Sequence, residues 1–170
     1  MSEEIIMRKL EVFFDYACPY CLIGHDYLLE LLPKFPDIEV IWRPCEAHPR
    51  PEEYERYSDL CVAGLFYAID KKVDLMDFHM RMYKAACKDG VDIEDPAALS
   101  EYFKGFLDTE DMAEALKSGK YEKAVLEAND YAFEINDVWF IPAFRMEGKK
   151  LNAEGGIGIS KEGLKAFLRN

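Results

Sequence analysis

Two cysteines lie at the point where a predicted strand passes directly into a predicted helix. Residues 10–14 are apolar and aromatic, which is typical of a buried strand, and residues 20–32 carry apolar side chains at helical spacing. Cys18 therefore falls at the helix N-cap and Pro19 at the first helical position, where a missing N–H costs nothing. Cys21 follows within the first turn. This stretch predicts a strand, a two-cysteine turn and a helix as the unit around which the chain folds.

The placement of these cysteines favours redox chemistry. Free N–H groups and the dipole at a helix start stabilise a thiolate at Cys18, and the thiolate is the nucleophile in disulfide exchange. Two thiols within one turn can also close a disulfide, which gives a reversible two-electron switch. We therefore interpret Cys18 and Cys21 as the catalytic pair, with their own disulfide as the redox group and no other cofactor.

Length and charge restrict the remaining function classes. With 170 residues, half of them hydrophobic, the chain can bury one core and form a single domain, or a domain with an insertion. The formal net charge of -12 argues against nucleic-acid binding, which requires basic surface. The first residues lack the features of a secretory signal, and no apolar run is long enough to span a bilayer. We expect a cytoplasmic protein with no nucleic-acid or membrane partner.

The order of predicted elements indicates an α/β fold. Strands over residues 9–15 and 38–43 flank the first helix, and a right-handed crossover makes such strands parallel, with their C-terminal ends on the same side. Residues 44–49 are therefore expected to emerge near Cys18.

A block of helices follows the second strand. The patterns predict helices over residues 52–69 and 75–87, and then a longer helix over 121–135. A hairpin around residues 147–149 and a final helix capped by Ser160 complete the chain. The block of helices is interpreted as an insertion.

Three stretches together resemble a known family. The run Phe-Phe-Asp-Tyr-Ala-Cys-Pro-Tyr-Cys-Leu-Ile-Gly (residues 13–24), the tripeptide Trp42-Arg43-Pro44, and Ile141-Pro142 before a hairpin and helix look like the DsbA-like thioredoxin-fold proteins. The resemblance is greatest to the FrnE-like branch, which also contains 2-hydroxychromene-2-carboxylate isomerases. It covers essentially the whole chain.

The resemblance implies a thioredoxin-like core, with a central mixed β-sheet flanked by helices, that is split by an inserted helical domain. The core would comprise residues 1–50 and 120–170, and the inserted all-helical domain residues 51–119. The implied activity is thiol–disulfide oxidoreduction. Its expected partners are substrate proteins or small thiols such as glutathione, bound through transient mixed disulfides.

The resemblance also implies a substrate groove. In thioredoxin-like folds the proline that opens the strand after the insertion forms a cis peptide bond beside the active-site disulfide, and it exposes the backbone of the preceding residue to substrate. Ile141 and Pro142 are therefore expected to bind substrate, together with Pro19 and Tyr20 between the two cysteines.

The chain departs from the periplasmic DsbA pattern at two positions. Tyr20 replaces a histidine whose positive charge would stabilise the thiolate, so a less oxidising couple is expected. Val12 occupies the position of a buried acid. Asp15 is a candidate substitute in proton transfer, and it can equally be a capping carboxylate.

Two alternative functions remain open at this point. Cys18, Cys21, Cys45 and His48 have the spacing of zinc ligands within each pair, so a zinc-binding module is the first alternative. The second is a glutathione-dependent isomerase of the 2-hydroxychromene-2-carboxylate type. That branch uses a serine near this helix start, and the two cysteines argue against it.

Overall fold

A mixed four-stranded sheet forms the centre of the molecule. The computed structural model describes residues 4–169, so residues 1–3 and 170 of the predicted core domain lie outside the described range. The strands are β1 (Arg8–Phe14), β2 (Ile38–Pro44), β3 (Ala143–Met146) and β4 (Lys149–Asn152). Their order is β2-β1-β3-β4, with β1 parallel to β2 and antiparallel to β3. The fold class predicted from the sequence is confirmed.

Helices flank this sheet and fill the segment between β2 and β3. They are α1 (Pro19–Leu31), α2 (Asp59–Asp70), α3 (Leu75–Cys87), α4 (Pro96–Glu101), α5 (Thr109–Lys117), α6 (Glu122–Asp130) and α7 (Lys161–Arg169). A π-helical turn extends α6 to Ile135, and a 3-10 turn extends α1 to Lys34. No helix within residues 4–169 has the length and apolar composition needed to cross a membrane.

The parallel pairing of β1 and β2 positions the site. Phe14 lies opposite Pro44 at the end of both strands, and the N–H of Cys45 donates to the Phe14 carbonyl over 2.8 Å. The chain leaves both strands at the same edge of the sheet. The predicted proximity of residues 44–49 to the Cys18 turn is therefore confirmed.

The predicted helix over residues 52–69 is wrong in its first half, because α2 begins only at Asp59. The seven residues before it form turns and irregular backbone over the cysteine turn. The Ser58 hydroxyl donates to Asp15 over 2.9 Å instead of capping the helix, and the Tyr57 hydroxyl donates to a backbone carbonyl within the segment. Contacts with the sheet edge therefore override the helical pattern.

One hydrophobic core runs from the sheet into the helices. The Tyr16 ring, just beyond β1, lies 5.0 Å from the ring centroids of both Phe14 and Tyr83, and the latter belongs to α3. Phe78 of the same helix contacts Tyr16 at 6.2 Å. These aromatic contacts fix α3 beneath the cysteine turn. The division of the chain into a core and an inserted domain stays a prediction.

Candidate active site

The turn after β1 is held by the side chain and the backbone of Asp15. One carboxylate oxygen accepts from the Ala17 N–H over 2.9 Å, and the Asp15 carbonyl accepts from the Cys18 N–H over 3.0 Å. Cys18 then adopts an extended backbone (φ −92°, ψ 115°) as the N-cap of α1, with Pro19 as the first helical residue. The short carboxylate side chain lets the strand turn sharply into the helix, and the turn places a sulfur atom at the helix start.

The two thiols of this turn have opposite environments. Cys18 is half-buried, whereas Cys21 is only 1% exposed, and both are free thiols whose side chains lie 3.4 Å apart. A hydrogen bond from the Cys21 side chain lowers the pKa of Cys18, against the opposing effect of burial. Burial raises the pKa of Cys21 well above its usual value. The thiolate therefore forms first at Cys18, the more accessible sulfur.

Asp15 is a buried carboxyl beside this pair. Its second oxygen accepts from the Ala47 N–H over 2.8 Å and from the Ser58 hydroxyl over 2.9 Å. Burial raises the pKa of Asp15, and these hydrogen bonds act in the opposite direction. Its charge raises the pKa of both Cys18 and Cys21, so the carboxyl lies close enough to sense each sulfur.

Pro142 packs directly on the active-site helix. The Ile141–Pro142 peptide bond is cis, and a Cβ atom added at Gly24 would approach Pro142 Cγ to 2.9 Å. Only a glycine lets the proline ring come this close to α1, one turn after Cys21. A second cis bond, Arg50–Pro51, was not predicted from the sequence.

The Tyr20 side chain contacts the loop after β4, whereas its backbone forms a hydrogen bond with Cys18 that lowers the pKa of that thiol. Its hydroxyl donates to the Gly156 carbonyl over 2.9 Å, and its ring lies against Gly158, where an added Cβ would meet it at 3.1 Å. Pro19 and Tyr20 are both exposed. The residues between the cysteines therefore belong to an accessible surface, as a substrate-binding role requires.

Exposed apolar side chains lie in the chain just before Pro142 and in the loop that Tyr20 contacts. Trp139 is 81% exposed, and Phe140 and Ile157 are also mostly exposed. The Phe140 ring lies against Gly155, next to the loop that Tyr20 contacts. Residues 138–144 form an apolar run in the sequence, and the composition of this run does not reveal that Trp139 and Phe140 face solvent.

The structure does not support the zinc alternative. Cys45 is fully buried and its sulfur donates to the Phe14 carbonyl over 3.6 Å. His48 forms a 2.8 Å contact with Glu52 and stacks on Tyr54 at 3.7 Å between ring centroids. No three His, Cys, Asp or Glu side chains within residues 4–169 are placed to hold a metal ion.

A cavity of about 190 Å³ opens beside Cys18, and sequence reasoning missed three of its lining residues. Tyr54, Arg56 and Ser58 were assigned to a helix, whereas they lie in the irregular segment that crosses the cysteine turn. The only sequence signal was the pair of prolines at 49 and 51, which disfavours a helix start in this region.

Comparisons with known proteins agree with this geometry. The model of the DSBA-like thioredoxin domain family matches residues 9–155. A probable DsbA oxidoreductase from Streptomyces coelicolor is 16% identical, with a TM-score of 0.78 over 95% of this chain and 88% of that chain. Oxidised BdbD from Bacillus subtilis is 15% identical, with a TM-score of 0.75 over 99% of this chain and 89% of that chain.

An uncharacterized protein, YwbO from Bacillus subtilis (strain 168), is 23% identical over 79% of this chain and 84% of its own length. At these identities the structural matches show a shared fold. They lend no support to the isomerase alternative.

Proposed function

Because the chain belongs to the family of DSBA-like thioredoxin domains, we propose that it is a thiol–disulfide oxidoreductase whose catalytic pair is Cys18 and Cys21. The observation that carries this proposal is the asymmetry of the two thiols. An accessible sulfur with a lowered pKa stands at a helix start, and a buried sulfur with a raised pKa lies 3.4 Å away. Exchange through a mixed disulfide requires this division into a nucleophile and a resolving thiol.

The reaction proceeds in two exchanges. The Cys18 thiolate attacks one sulfur of a substrate disulfide, forms a mixed disulfide with it, and releases the other substrate sulfur as a thiolate that takes up a proton. Cys21 then loses its proton and attacks the Cys18 sulfur, which closes the Cys18–Cys21 disulfide and releases the second substrate thiolate. Two electrons pass from the protein dithiol to the substrate, and the reverse sequence oxidises a substrate dithiol.

Asp15 is the proton acceptor for the second exchange in this proposal. Cys21 is buried and its pKa is raised, so its proton needs a nearby base when the sulfur attacks. The charge of the Asp15 carboxyl raises the pKa of both thiols. Because the pKa of Asp15 is itself raised, it lies closer to the pKa of the Cys21 thiol than that of an exposed carboxyl would. Its hydrogen bonds to Ala17, Ala47 and Ser58 hold it in place for this role.

Replacing Asp15 with asparagine is expected to slow the attack by Cys21 without slowing the reaction of the Cys18 thiolate. Resolution by Cys21 should slow at least about tenfold, because an amide cannot accept the proton. Alkylation of Cys18 at neutral pH should become faster or stay unchanged, because the charge that raises its pKa is gone. Stopped-flow measurement of mixed-disulfide decay gives the rate of resolution by Cys21, and iodoacetamide labelling gives the reactivity of Cys18. Equal slowing of both steps would instead indicate a purely structural role.

Protein disulfides are the substrates that this surface fits best. Trp139 and Phe140 are exposed just before Ile141–Pro142, and Ile157 is exposed in the loop that Tyr20 contacts. Exposed apolar surface is typical of polypeptide binding. Small thiols such as glutathione need no such surface. They remain candidate partners for regenerating the Cys18–Cys21 couple.

The proposal is tested by the reduction potential of this couple. With tyrosine in the third motif position, we expect a value of about -270 to -200 mV, together with catalysed reduction of a protein disulfide such as that of insulin. Equilibration with glutathione or dithiothreitol buffers gives the potential. A value near about -120 mV would refute the argument from Tyr20, and an inactive protein would refute the proposed function.

A further inference from the structure

Arg56 lies in the wall of the cavity beside Cys18, and no carboxylate pairs with it among residues 4–169. One N–H of its guanidinium donates to the Ala86 carbonyl over 2.8 Å, at the end of α3. Arg50 and Arg81, by contrast, form ion pairs with acidic side chains at 3.0 Å and 2.9 Å. In a chain with 33 acidic and 21 basic residues, a half-buried guanidinium without an acidic partner is unexpected.

Two other ionisable groups of the cavity, Asp15 and His48, already have polar partners. Asp15 is buried and accepts three hydrogen bonds. His48 forms a 2.8 Å contact with Glu52, and Tyr54 stacks on its ring. Arg56 is thus the cationic group of this cavity that retains unused N–H donors.

We propose that this cavity is a substrate subsite in which Arg56 binds a carboxylate located next to the disulfide that Cys18 attacks. The inference rests on the proposed function, because it makes Cys18 the attacking atom. A planar guanidinium matches a carboxylate with two parallel hydrogen bonds, and the Ala86 carbonyl orients it. The volume of about 190 Å³ accommodates one side chain and is below that of a typical small-molecule site.

The carboxylate has two chemical sources. It is either the side chain of Asp or Glu beside a cysteine of a protein substrate, or a carboxylate of a small disulfide such as glutathione disulfide. Both place an anion close to a reactive sulfur. The strongly acidic surface of the protein repels anionic substrates at a distance, so recognition by Arg56 selects among substrates that have already docked.

The test compares single-turnover rates of the reduced protein with three disulfide peptides that differ only beside the cysteine, where they carry Glu, Gln or Lys. The wild-type protein should reduce the Glu peptide about five- to tenfold faster than the Gln peptide, and the Lys peptide more slowly than either. Arg56→Gln should bring the Glu-to-Gln ratio close to one, and Arg56→Lys should keep part of the preference. If Arg56 acts only through its hydrogen bond to the Ala86 carbonyl, Arg56→Gln should slow the reduction of all three peptides equally. The Glu-to-Gln ratio would then keep its wild-type value, which would contradict the subsite.

Arg81→Gln is the matched control, because it removes the same charge from an ion-paired arginine on α3 and should keep the wild-type ratio. Rates with glutathione disulfide and with cystamine, which is cationic, distinguish the two sources. If Arg56→Gln lowers the reduction rate of glutathione disulfide but not that of the Glu peptide, the subsite belongs to small disulfides. If it lowers only the rate of the Glu peptide, the subsite belongs to protein substrates. Unchanged preferences for both in Arg56→Gln would overturn the proposal.

Binding without exchange separates this inference from the proposed function. A fluorescent Glu peptide should bind Cys18→Ala several-fold more tightly than the double variant Cys18→Ala/Arg56→Gln, whether or not the protein catalyses exchange. Equal affinities would refute the subsite. Inactivity of the wild-type protein together with unequal affinities would refute only the proposed chemistry.

Discussion

Replacing Cys18 with serine is expected to lower the rate of protein-disulfide reduction at least about a thousandfold, to the uncatalysed level. Cys18 is the accessible sulfur at the start of α1, and its pKa is lowered by the hydrogen bond from Cys21. A serine hydroxyl is not deprotonated at neutral pH and cannot form a disulfide. Cys21 cannot substitute, because it is buried and its pKa is raised. The measurement is insulin reduction under single-turnover and steady-state conditions.

Replacing Cys21 with alanine should have a different signature. The nucleophile remains and the resolving thiol is gone, so mixed disulfides with substrates should accumulate and be released by dithiothreitol. Cys87→Ala is the matched control, because its half-buried thiol contacts the nearby Tyr16 carbonyl over 3.1 Å and has a pKa raised chiefly by burial to about 11. That variant should retain exchange. Preferential alkylation of Cys21, or trapping by Cys18→Ser alone, would contradict the assigned order.

The parts of the site that the sequence predicts are those encoded locally. An apolar run followed at once by Cys18 and Pro19 defines a strand, an N-cap and a first helical turn, because each position is governed by backbone hydrogen bonds within a few residues. The proximity of residues 44–49 follows from the handedness of a crossover, which is almost invariant. The hairpin turn at Glu147-Gly148 has positive φ angles at both residues, as its sequence suggests.

The parts that the sequence does not predict depend on long-range contacts. The segment before α2 has a helical pattern, yet Ser58 satisfies Asp15, which is 43 residues away in the chain. Trp139 and Phe140 look like core residues by composition, but they are exposed beside Pro142. Whether a carboxylate pairs with Arg56 depends on which acidic side chains reach it in three dimensions, and none does within residues 4–169. Such features are set by tertiary placement and have no periodic signature.

The fold also buries two histidines in a cluster that favours their neutral form. His25 of α1 and His79 of α3 are buried with their ring centroids 5.7 Å apart, and no group among residues 4–169 forms a hydrogen bond with either Nε2 atom. His79 Nδ1 lies 2.7 Å from the Tyr16 hydroxyl, and burial raises the pKa of Tyr16 so that it stays a neutral donor. Trp42 covers His79 at 4.4 Å between ring centroids. Within residues 4–169 no carboxylate forms an ion pair with His25 or His79, although the charge of Asp26 raises the pKa of His25 against the larger effect of burial, so the cluster accommodates neutral imidazole.

Acid is therefore expected to destabilise the protein through His79. Burial is the main reason that the pKa of His79 is lowered to about 3, whereas an exposed histidine in the unfolded chain titrates near about 6.5. Between these values the unfolded state binds more protons, so the free energy of unfolding decreases as the pH falls. From pH 7 to pH 4 the loss attributable to His79 is about 3 kcal/mol, from roughly 2.5 pH units at about 1.36 kcal/mol each.

Replacing His79 with glutamine isolates this contribution. The amide can accept from the Tyr16 hydroxyl but does not titrate. The difference in the free energy of unfolding between pH 7 and pH 4 should therefore shrink by about 3 kcal/mol, however much stability the substitution itself removes at pH 7. Urea unfolding at both pH values gives the two differences. His25, Asp15 and Glu46 also have shifted pKa values, and they remain in both proteins.

His48→Gln is the matched control for this comparison, because it is the same substitution at the third histidine of the chain, which lies outside the buried cluster. An NMR titration of the wild-type imidazoles supplies a second measurement that does not depend on how the variants fold. The His79 resonance should stay in its neutral position down to about pH 4. A His79 resonance that titrates near pH 6 would show that its burial does not exclude the charged form, and the expected acid lability would then have another origin.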